Sequence, residues 1–313
     1  MRTLVTGGAG FIGSNLVDAL LDRGHEVAIL DDFSGGKEDN IAGALTRGAT
    51  VHRADIRNPM EVDDAVVAAR PEVVFHLAAQ VDVRKSVADP AFDARTNVEG
   101  TINVLNGARA AGARVINVST GGAIYGDVEQ IPSPETTPPE PLAPYGQSKF
   151  CAERYLGLYR RLYGMSTATA RLGNVYGPRQ DPHGEAGVVA IFCGKLQEGE
   201  RPTIYGDGRQ TRDYVYVGDV VAALLAILDH PEAHGEYNVG TGLETSVLDI
   251  VEQLQAYADA PFEPVFAEAR LGEMERSCLD VSRAREELGW QAEVDLEEGL
   301  RRTVEWTRAS AVR

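Results

Sequence analysis

Short apolar runs alternate with longer amphipathic runs through the first half of the chain. The short runs are typical of buried strands, and the longer ones are typical of helices with one apolar face. This alternation predicts an α/β fold in which helices cover both faces of a doubly wound parallel sheet. The predicted strands begin at Thr3, Glu26, Val51, Val73 and Arg114, and the predicted helices span 60–69, 92–111 and 145–162.

The pattern loosens after residue 170, where proline and glycine become frequent. We therefore predict a first domain over 1–170 and a smaller C-terminal α+β lobe over 171–313. A strand-like run at 214–217 precedes a helical run. The segment 213–242 is accordingly predicted to return to the first domain.

A glycine-rich loop follows the first predicted strand and opens the first predicted helix. Gly7, Gly10 and Gly13 have the spacing of a dinucleotide-binding loop in a Rossmann-like domain. Phe11 and Ile12 begin a helix whose free N–H groups suit the phosphates of such a ligand. The alternative interpretation is a structural turn without a cofactor.

Two acidic residues end the second predicted strand, about twenty residues beyond the glycines. Asp31 and Asp32 suit the ribose hydroxyls of NAD, whereas the additional phosphate of NADP would be repelled by them. The sequence therefore predicts an NAD-binding first domain.

The net charge and the cysteines limit which partners and which cellular compartment are expected. The 313 residues carry a net charge of −17, which argues against nucleic acid and anionic membranes as partners. No apolar run approaches the ~20 residues that span a bilayer, and Met1 stands just before the first strand, so we expect no membrane segment and no signal peptide. Three cysteines without regular spacing fit a reduced cytoplasm, and six scattered histidines predict no metal site.

Tyr145 and Lys149 stand four residues apart in a predicted helix and therefore share one of its faces. An ammonium beside a phenol favours the phenolate and should lower the pKa of the tyrosine below its usual ~10. Tyr145 would then serve as a general base near neutral pH. The alternative is a chance pair on a solvated helix face.

Hydroxyls and arginines form a second set of candidates. Ser119 and Thr120 end the fifth predicted strand, where they are placed to bind a sugar hydroxyl beside Tyr145 or to form a simple turn. Arg212 and Arg270 are isolated cations in an acidic chain. They are candidate phosphate ligands, and surface ion pairing is the alternative.

Further candidates for cofactor contact follow the third and fourth predicted strands. Asp55 and Ile56 are placed to face the adenine ring, and the small residues at 77–79 let a cofactor lie close to the backbone. Lys85 is placed to reach the nicotinamide ribose or only solvent. Asn97 is either a cofactor contact or a buried amide that bridges two elements.

Together, these motifs resemble the extended short-chain dehydrogenase/reductase family and, within it, the NAD-dependent nucleotide-sugar epimerases and dehydratases. The resemblance extends over almost the whole chain, and the stretch 177–189 is most similar to the bacterial UDP-glucose 4-epimerases. The matching segments are 6–13, Asp31, 55–56, 76–79, 97–101, 124–126, Tyr145 with Lys149, 171–179, 210–214 and 237–240.

The resemblance implies roles for individual positions. Thr120, Tyr145 and Lys149 would form the catalytic group, with Tyr145 as the base. NAD would be bound by Gly7, Gly10, Phe11, Ile12, Gly13, Asp31, Asp32, Lys37, Asp55, Ile56, Leu77, Ala78, Ala79, Lys85, Asn97, Tyr145 and Lys149. The UDP-sugar would be bound by Thr120, Tyr145, Asn174, Val189, Thr203, Tyr205, Arg212, Arg270, Glu273 and Ser277. The family commonly forms homodimers through the helices predicted here at 92–111 and 145–162.

The chain departs from the family pattern at one position. The family usually places Ser or Thr four residues before the tyrosine that is Tyr125 here, and this chain has Gly121 instead. Thr120 or Ser119 would have to replace that hydroxyl. The Asp-Glu pair of the 4,6-dehydratases is also missing at 122–123, so elimination of water is not expected.

The implied activity is NAD-dependent 4-epimerisation of UDP-glucose and UDP-galactose through a transient 4-keto intermediate. Ser277 stands where the family limits the room for N-acetyl groups, and its small side chain makes UDP-N-acetylglucosamine an alternative substrate. UDP-glucuronate is a further alternative. A 4-ketoreductase is disfavoured by Asp31 and Asp32, and a non-catalytic NAD-binding regulator by Tyr145 and Lys149.

Overall fold

A single parallel sheet organises the N-terminal part of the protein. The computed structural model describes residues 1–182, 187–259, 261–269 and 274–310. The strands, numbered along the chain, are β1 (Arg2–Thr6), β2 (Glu26–Asp31), β3 (Thr50–Arg53), β4 (Val73–His76), β5 (Arg114–Thr120), β6 (Thr167–Leu172), β7 (Asn174–Tyr176), β8 (Thr203–Tyr205), β9 (Thr211–Arg212), β10 (Tyr214–Tyr216), β11 (Gly235–Val239), β12 (Thr245–Ser246) and β13 (Val265–Ala267). Seven of them form the central sheet, in the order β11-β6-β5-β4-β1-β2-β3.

Helices cover both faces of this sheet and build most of the C-terminal lobe. They are α1 (Phe11–Asp22), α2 (Glu38–Thr46), α3 (Pro59–Ala69), α4 (Val83–Ala88), α5 (Pro90–Ala94), α6 (Gly100–Ala111), α7 (Gly121–Ile124), α8 (Pro144–Tyr163), α9 (Val188–Glu198), α10 (Val217–Asp229), α11 (Val247–Leu254), α12 (Ser282–Leu288) and α13 (Leu296–Ser310). A π-helical turn spans Arg95–Glu99, and a 3₁₀ turn spans Gln255–Tyr257. Among the described residues, no helix is long and apolar enough to cross a bilayer.

The apolar strands are explained by burial on both faces of the sheet. In β1, Val5 packs into the core that includes Leu16 of α1, whereas its neighbour Leu4 packs into the opposite core with Leu156 of α8. Successive side chains of a strand point to opposite faces, so a strand between two helical layers is buried on both sides and is mostly apolar. The predicted doubly wound α/β fold is confirmed.

The crevice that such a sheet offers to a ligand lies between β1 and β4. β1 pairs with β2 on one side and with β4 on the other, and Thr6 is opposite both Leu30 and His76. The chain reverses its direction of winding at this point, which leaves a gap beyond the carboxyl ends of the two strands. The glycine loop after β1 and the segment 77–79 after β4 therefore face each other there.

The helix predicted over 92–111 is continuous from Pro90 to Ala111, and a π-helical turn lies between α5 and α6. Asn97 lies in the turn, where its side chain accepts from the backbone N–H of Gln80 and donates to the backbone carbonyl oxygen of Gln80. The Thr101 hydroxyl donates to the Asn97 carbonyl oxygen at 2.6 Å. The apolar periodicity alone could not reveal the π-helical turn, and the polar contacts of Asn97 in this turn are with a residue outside the helix.

The return of the chain to the first domain also differs from the prediction in detail. The strand predicted at 214–217 pairs with β7 in a separate two-stranded sheet, and β11 instead occupies the edge of the central sheet beside β6. The following helix, α10, does pack on α1. Most of the C-terminal lobe has its own core, which includes Tyr176, Phe192, Tyr216, Ile250, Leu254 and Leu300. The domain boundary at 170 stays a prediction.

Candidate active site

The glycine loop has the close backbone packing that a dinucleotide site requires. Gly7 has φ +69°, and a Cβ there would lie 2.7 Å from the Ala78 backbone nitrogen. A Cβ on Gly13 would overlap the Gly7 carbonyl oxygen, so helix and loop approach as closely as only glycine allows. α1 begins at Phe11 without a side-chain cap and without an acid in its first turn. This helix start is therefore suited to phosphate.

Asp31 and Asp32 occupy different environments at the end of β2. Asp31 is buried, and its carboxylate accepts hydrogen bonds from the backbone N–H groups of Ala9 at 2.9 Å and Phe33 at 2.8 Å. Burial raises the pKa of Asp31, and these two bonds oppose the increase. Asp32 is exposed and accepts from Ser34. Asp31 thus joins the glycine loop to the loop after β2, the position predicted for the ribose of NAD.

The other predicted adenine and ribose contacts are mostly engaged with neighbouring side chains. Asp55 pairs with Arg57, a partner that the sequence analysis did not identify, and this hydrogen bonding lowers the pKa of Asp55. Ile56 is buried against α6. Lys37 forms an exposed ion pair with Asp181 at 2.8 Å, and the Lys85 ammonium lies 4.6 Å from the centre of the Phe92 ring.

Tyr145 and Lys149 lie in the first turns of α8, which starts at Pro144. The Tyr145 backbone N–H donates to the Ser86 hydroxyl at 3.1 Å, which fixes the start of this helix against α4. Lys149 is only 4% exposed. Within the described part of the chain, its ammonium has no hydrogen bond or ion pair, although α8 also carries the acidic Glu153. A buried cation without a partner is costly, so this site is suited to a polar ligand.

The electrostatics of this pair contradict the prediction from the sequence. Tyr145 is half-buried as a residue, but burial of its phenol raises the pKa to about 12, and the Asp93 carboxylate adds to the increase. The hydroxyl of Thr120 hydrogen bonds to the phenol and opposes the increase. Burial lowers the pKa of Lys149 to about 8, against the carboxylates of Glu153 and Asp93. The protein alone therefore does not lower the pKa of Tyr145, because desolvation and the Asp93 carboxylate outweigh the hydrogen bond from Thr120.

The structure separates the two hydroxyls that the sequence left as alternatives. Thr120 contacts the phenol of Tyr145, whereas the buried hydroxyl of Ser119 has no hydrogen-bond partner within the described residues. Neighbouring side chains of β5 point to opposite faces of the sheet, so only one of the two can reach α8. A Cβ on Gly121 would lie 2.6 Å from the side chain of Leu279, which leaves no room there for the family's usual hydroxyl.

Asn97 acts as a bridge between elements. Its amide oxygen accepts from the Gln80 N–H at 2.8 Å, and its amide nitrogen donates to the Gln80 carbonyl oxygen at 2.9 Å. The same nitrogen also contacts the Ser148 hydroxyl, which donates to the Tyr145 carbonyl oxygen. The protein thus occupies both ends of the amide, which is the bridging alternative. Direct contact with the cofactor stays a prediction.

A second hydrogen-bond network aligns the segment after β4. The Thr6 hydroxyl lies 2.8 Å from Nδ1 of His76, and it accepts from the backbone N–H groups of Leu77 and Ala78. On the other side, Nε2 of His76 lies 3.0 Å from the Thr101 hydroxyl. Burial lowers the pKa of His76 to about 3, so the ring is neutral. The segment from Leu77 to Ala79 is half-buried beside the glycine loop.

A buried ion pair supports α8 from behind. Arg171 of β6 and Glu153 of α8 are in contact at 2.6 Å, with side chains that are 5% and 1% exposed. Arg171 also donates to the hydroxyl of Tyr125, which in turn donates to Asn238. Glu153 stands four residues after Lys149, and this spacing could have identified it from the sequence.

The predicted diphosphate contacts lie across the crevice in the C-terminal lobe. The Asn174 amide oxygen would be 3.2 Å from a Cβ on Gly122, which places it beside the end of β5. Val189 is buried in the first turn of α9, which has neither a side-chain cap nor an acid in that turn. Contact of Val189 with a ligand stays a prediction.

Arg212 and Ser277 lie on two segments of the lobe that are joined near the buried carboxylate of Asp213, which the sequence analysis did not single out. The Ser277 N–H donates to the carbonyl oxygen of Thr211 at 3.1 Å. The side chain of Asp213 accepts from Thr241 at 2.7 Å and from the Leu279 N–H at 3.2 Å. Asp213 thus holds three segments of the lobe around Arg212.

The remaining predicted substrate contacts lie further along the lobe. Thr203 and Tyr205 are exposed on one side of β8, while Ile204 between them is buried. This alternation leaves both polar side chains accessible, as the predicted uracil contact requires. Arg270 and Glu273 lie outside the described residues.

Residues 3–240 match the sequence profile of the NAD dependent epimerase/dehydratase family. The chain belongs to this family. Over 310 residues it is 48% identical to the UDP-glucose 4-epimerase of Mycolicibacterium smegmatis, and the match covers 98% of this chain and 99% of that protein.

Two solved UDP-glucose 4-epimerases have the same fold. The UDP-glucose 4-epimerase of Thermotoga maritima, solved with UDP-glucose, superimposes with a TM-score of 0.95 at 45% identity, over 99% of this chain and 100% of that one. The enzyme of Thermus thermophilus, solved with NAD, gives a TM-score of 0.92 at 44% identity, also over 99% and 100%. The predicted family and the prediction of NAD as cofactor are confirmed.

Proposed function

We propose that the protein is an NAD-dependent 4-epimerase that interconverts UDP-glucose and UDP-galactose. The observation that carries the proposal is the phenol of Tyr145, which lies against Thr120 and four residues before the buried Lys149. This group lies at the carboxyl end of β5, which is two strands away from β1 and its glycine loop in the central sheet. Relatives with closely similar sequence and structure bear the same activity in their names.

The residues of the chain divide the work between the two ligands. The glycine loop and the start of α1 would hold the pyrophosphate of NAD, and Asp31 would hold its ribose. When bound, NAD supplies the acceptor and donor of a hydride. The phenolate of Tyr145 takes the proton from the sugar O4 hydroxyl and later returns it. The diphosphate would be held by Asn174, the start of α9 and Arg212 while the 4-keto sugar rotates in the site.

The raised pKa of Tyr145 sets a condition on this mechanism. With a pKa of about 12, the phenol is protonated near neutral pH in the protein alone. The hydroxyl of Thr120 favours the phenolate. The ammonium of Lys149, one helical turn away, and the positive charge of a bound oxidised nicotinamide would favour it further. We therefore expect the pKa of Tyr145 to fall when NAD binds, because an opposite charge nearby favours the ionised form.

Turnover of UDP-galactose to UDP-glucose tests the proposal. Tyr145→Phe should lose at least ~10²-fold in kcat, which is the lower range for one positioned acid–base group. Tyr257→Phe is the matched control, since it makes the same change in the 3₁₀ turn of the C-terminal lobe, at a residue with no predicted contact to either ligand. An inactive wild type, or near-full activity of Tyr145→Phe, would contradict the proposal. Net conversion of NAD to NADH, with accumulation of the 4-keto sugar, would indicate a net oxidoreductase instead.

Ser277 favours UDP-N-acetylglucosamine as a second substrate. Its side chain is small and half-buried beside Thr211. Ser277→Tyr should therefore reduce turnover of the N-acetylated sugar much more than that of UDP-galactose. Equal losses for both sugars would remove this candidate.

We also infer a cytoplasmic homodimer. Leu162 and Tyr163 are exposed at the end of α8, one of the two helices expected to pack across the dimer axis. Their burial would remove apolar surface from water. Leu162→Glu should lower the mass measured by sedimentation from that of a dimer to that of a monomer, and a monomeric wild type would contradict the inference. The three cysteines are free thiols, which supports a reducing compartment.

A further inference from the structure

Asp93 is a buried acid whose charge acts on both Tyr145 and Lys149. It lies in α5 and is 1% exposed. One carboxylate oxygen accepts from the side-chain amides of Gln80 at 2.8 Å and Asn97 at 3.2 Å. The other oxygen is buried and has no hydrogen-bond partner among the described residues.

This arrangement leaves the negative charge of Asp93 unbalanced by any contact. Its two partners are neutral amides, and no cation within the described ranges is in ion-pair contact with it. Burying a carboxylate under these conditions is costly. A function that needs the charge at this place is therefore a better explanation than packing.

Lys149 is the complementary case on the adjacent helix. Its ammonium is buried and has no direct partner within the described segments. α5 packs on α8, and the Asn97 amide that contacts Asp93 also contacts Ser148, the residue next to Lys149. A buried anion and a buried cation, each without a partner of opposite charge in contact, therefore lie close to each other.

We propose that Asp93 is the counter-ion of Lys149, which keeps the lysine in its ammonium form inside the active site. Asp93 is thus a positioning residue, since it acts through Lys149 on Tyr145. The proposal rests on the proposed epimerase function for its purpose, but the charge of Lys149 can be measured without turnover.

The other charged groups around this site do not replace Asp93. Glu153 has a larger effect on the pKa of Lys149 than Asp93 has, but its carboxylate is in contact with Arg171 at 2.6 Å, so the charge of that pair is largely balanced. His76 is neutral. Asp93 also raises the pKa of Tyr145. The titratable and charged groups that face this site from the surrounding elements are Tyr145, Lys149 and Glu153 on α8, His76 at the end of β4 and Arg171 on β6.

The small number of lysines makes a direct test practical. The chain has four, at positions 37, 85, 149 and 195, so NMR of protein labelled with ¹³C at lysine Cε should resolve each of them. Lys149→Arg assigns the signal of Lys149 by its disappearance. The midpoint of its titration is then measured in the cofactor-free protein and with NAD.

Asp93→Asn should move the midpoint of Lys149 to lower pH by about one unit or more in the cofactor-free protein, as expected for loss of a nearby opposite charge. Asp93→Glu should keep the midpoint, and Asp64→Asn, the same change at an exposed site on α3, should leave it unaltered. An unchanged midpoint in folded Asp93→Asn overturns the proposal. If that variant does not fold, Asp93→Ser provides a second neutral substitution.

The kinetic counterpart separates this proposal from the proposed function. If the wild type is active, both limbs of the pH profile of kcat should move to lower pH in Asp93→Asn, because Tyr145 and Lys149 lose the same neighbouring anion. A variant that merely packs badly would lose kcat at every pH without such a shift, and this result would count against the proposal. If the wild type is inactive, the proposed function fails, while the NMR titration still decides the role of Asp93.

Discussion

The hydroxyl of Thr120 should contribute measurably to catalysis, and that of Ser119 should not. Thr120→Val removes the hydroxyl and keeps the shape of the side chain, so β5 and its packing should persist. The lost interaction is a hydrogen bond to the phenol of Tyr145. Hydrogen bonds to charged groups contribute about 1.5–3 kcal/mol, and the phenol is charged when it acts as a base. We therefore expect kcat to fall roughly 10- to 100-fold.

The assay is conversion of UDP-galactose to UDP-glucose at saturating substrate, with NAD retention and thermal unfolding measured alongside. Ser119→Ala is the matched control, because it removes a buried hydroxyl that has no partner in the described part of the protein. It should be neutral or slightly stabilising. Thr120→Ser should recover most of the activity by restoring the hydroxyl. The reasoning is wrong if Thr120→Val stays within about twofold of the wild type, well below the loss expected from one hydrogen bond, or if Ser119→Ala loses as much.

Three further substitutions test stability and binding. Lys149→Met should abolish turnover but raise the free energy of unfolding at pH 7 by up to ~3 kcal/mol, because a buried lysine with a pKa of about 8 instead of 10.5 opposes folding. In the wild type, the unfolded chain binds more protons than the folded protein between pH 8 and pH 10.5. The stability of the wild type, measured by urea unfolding, should therefore rise with pH in that window. Arg171→Met leaves Glu153 buried and unpaired and should cost about 3–5 kcal/mol by urea unfolding, with partial recovery in the double variant that also carries Glu153→Leu. Gly13→Ala should cost about 1–3 kcal/mol and weaken binding in an NAD titration, since its methyl group overlaps the Gly7 carbonyl oxygen.

Local patterns were sufficient to predict the scaffold of this protein. Strands buried on both faces are mostly apolar, helices must present an apolar face, and a phosphate-binding turn must contain glycine, so these constraints are visible in a linear sequence. The placement of Tyr145 and Lys149 on one helix, about one turn apart, was also predicted from their spacing. The π-helical turn around Asn97 was not predicted, and the Asn97 side chain bonds there to Gln80, which is distant in sequence.

Only the tertiary structure decided the electrostatics of the site. The sequence predicted a lowered pKa for Tyr145 from its neighbour Lys149, whereas burial by surrounding elements raises it. The choice of Thr120 over Ser119 required the direction of β5 relative to α8, and the proximity of Asp93 required the packing of α5 on α8. Desolvation and long-range charge depend on what the whole fold places around a group, and spacing along the chain does not contain that information.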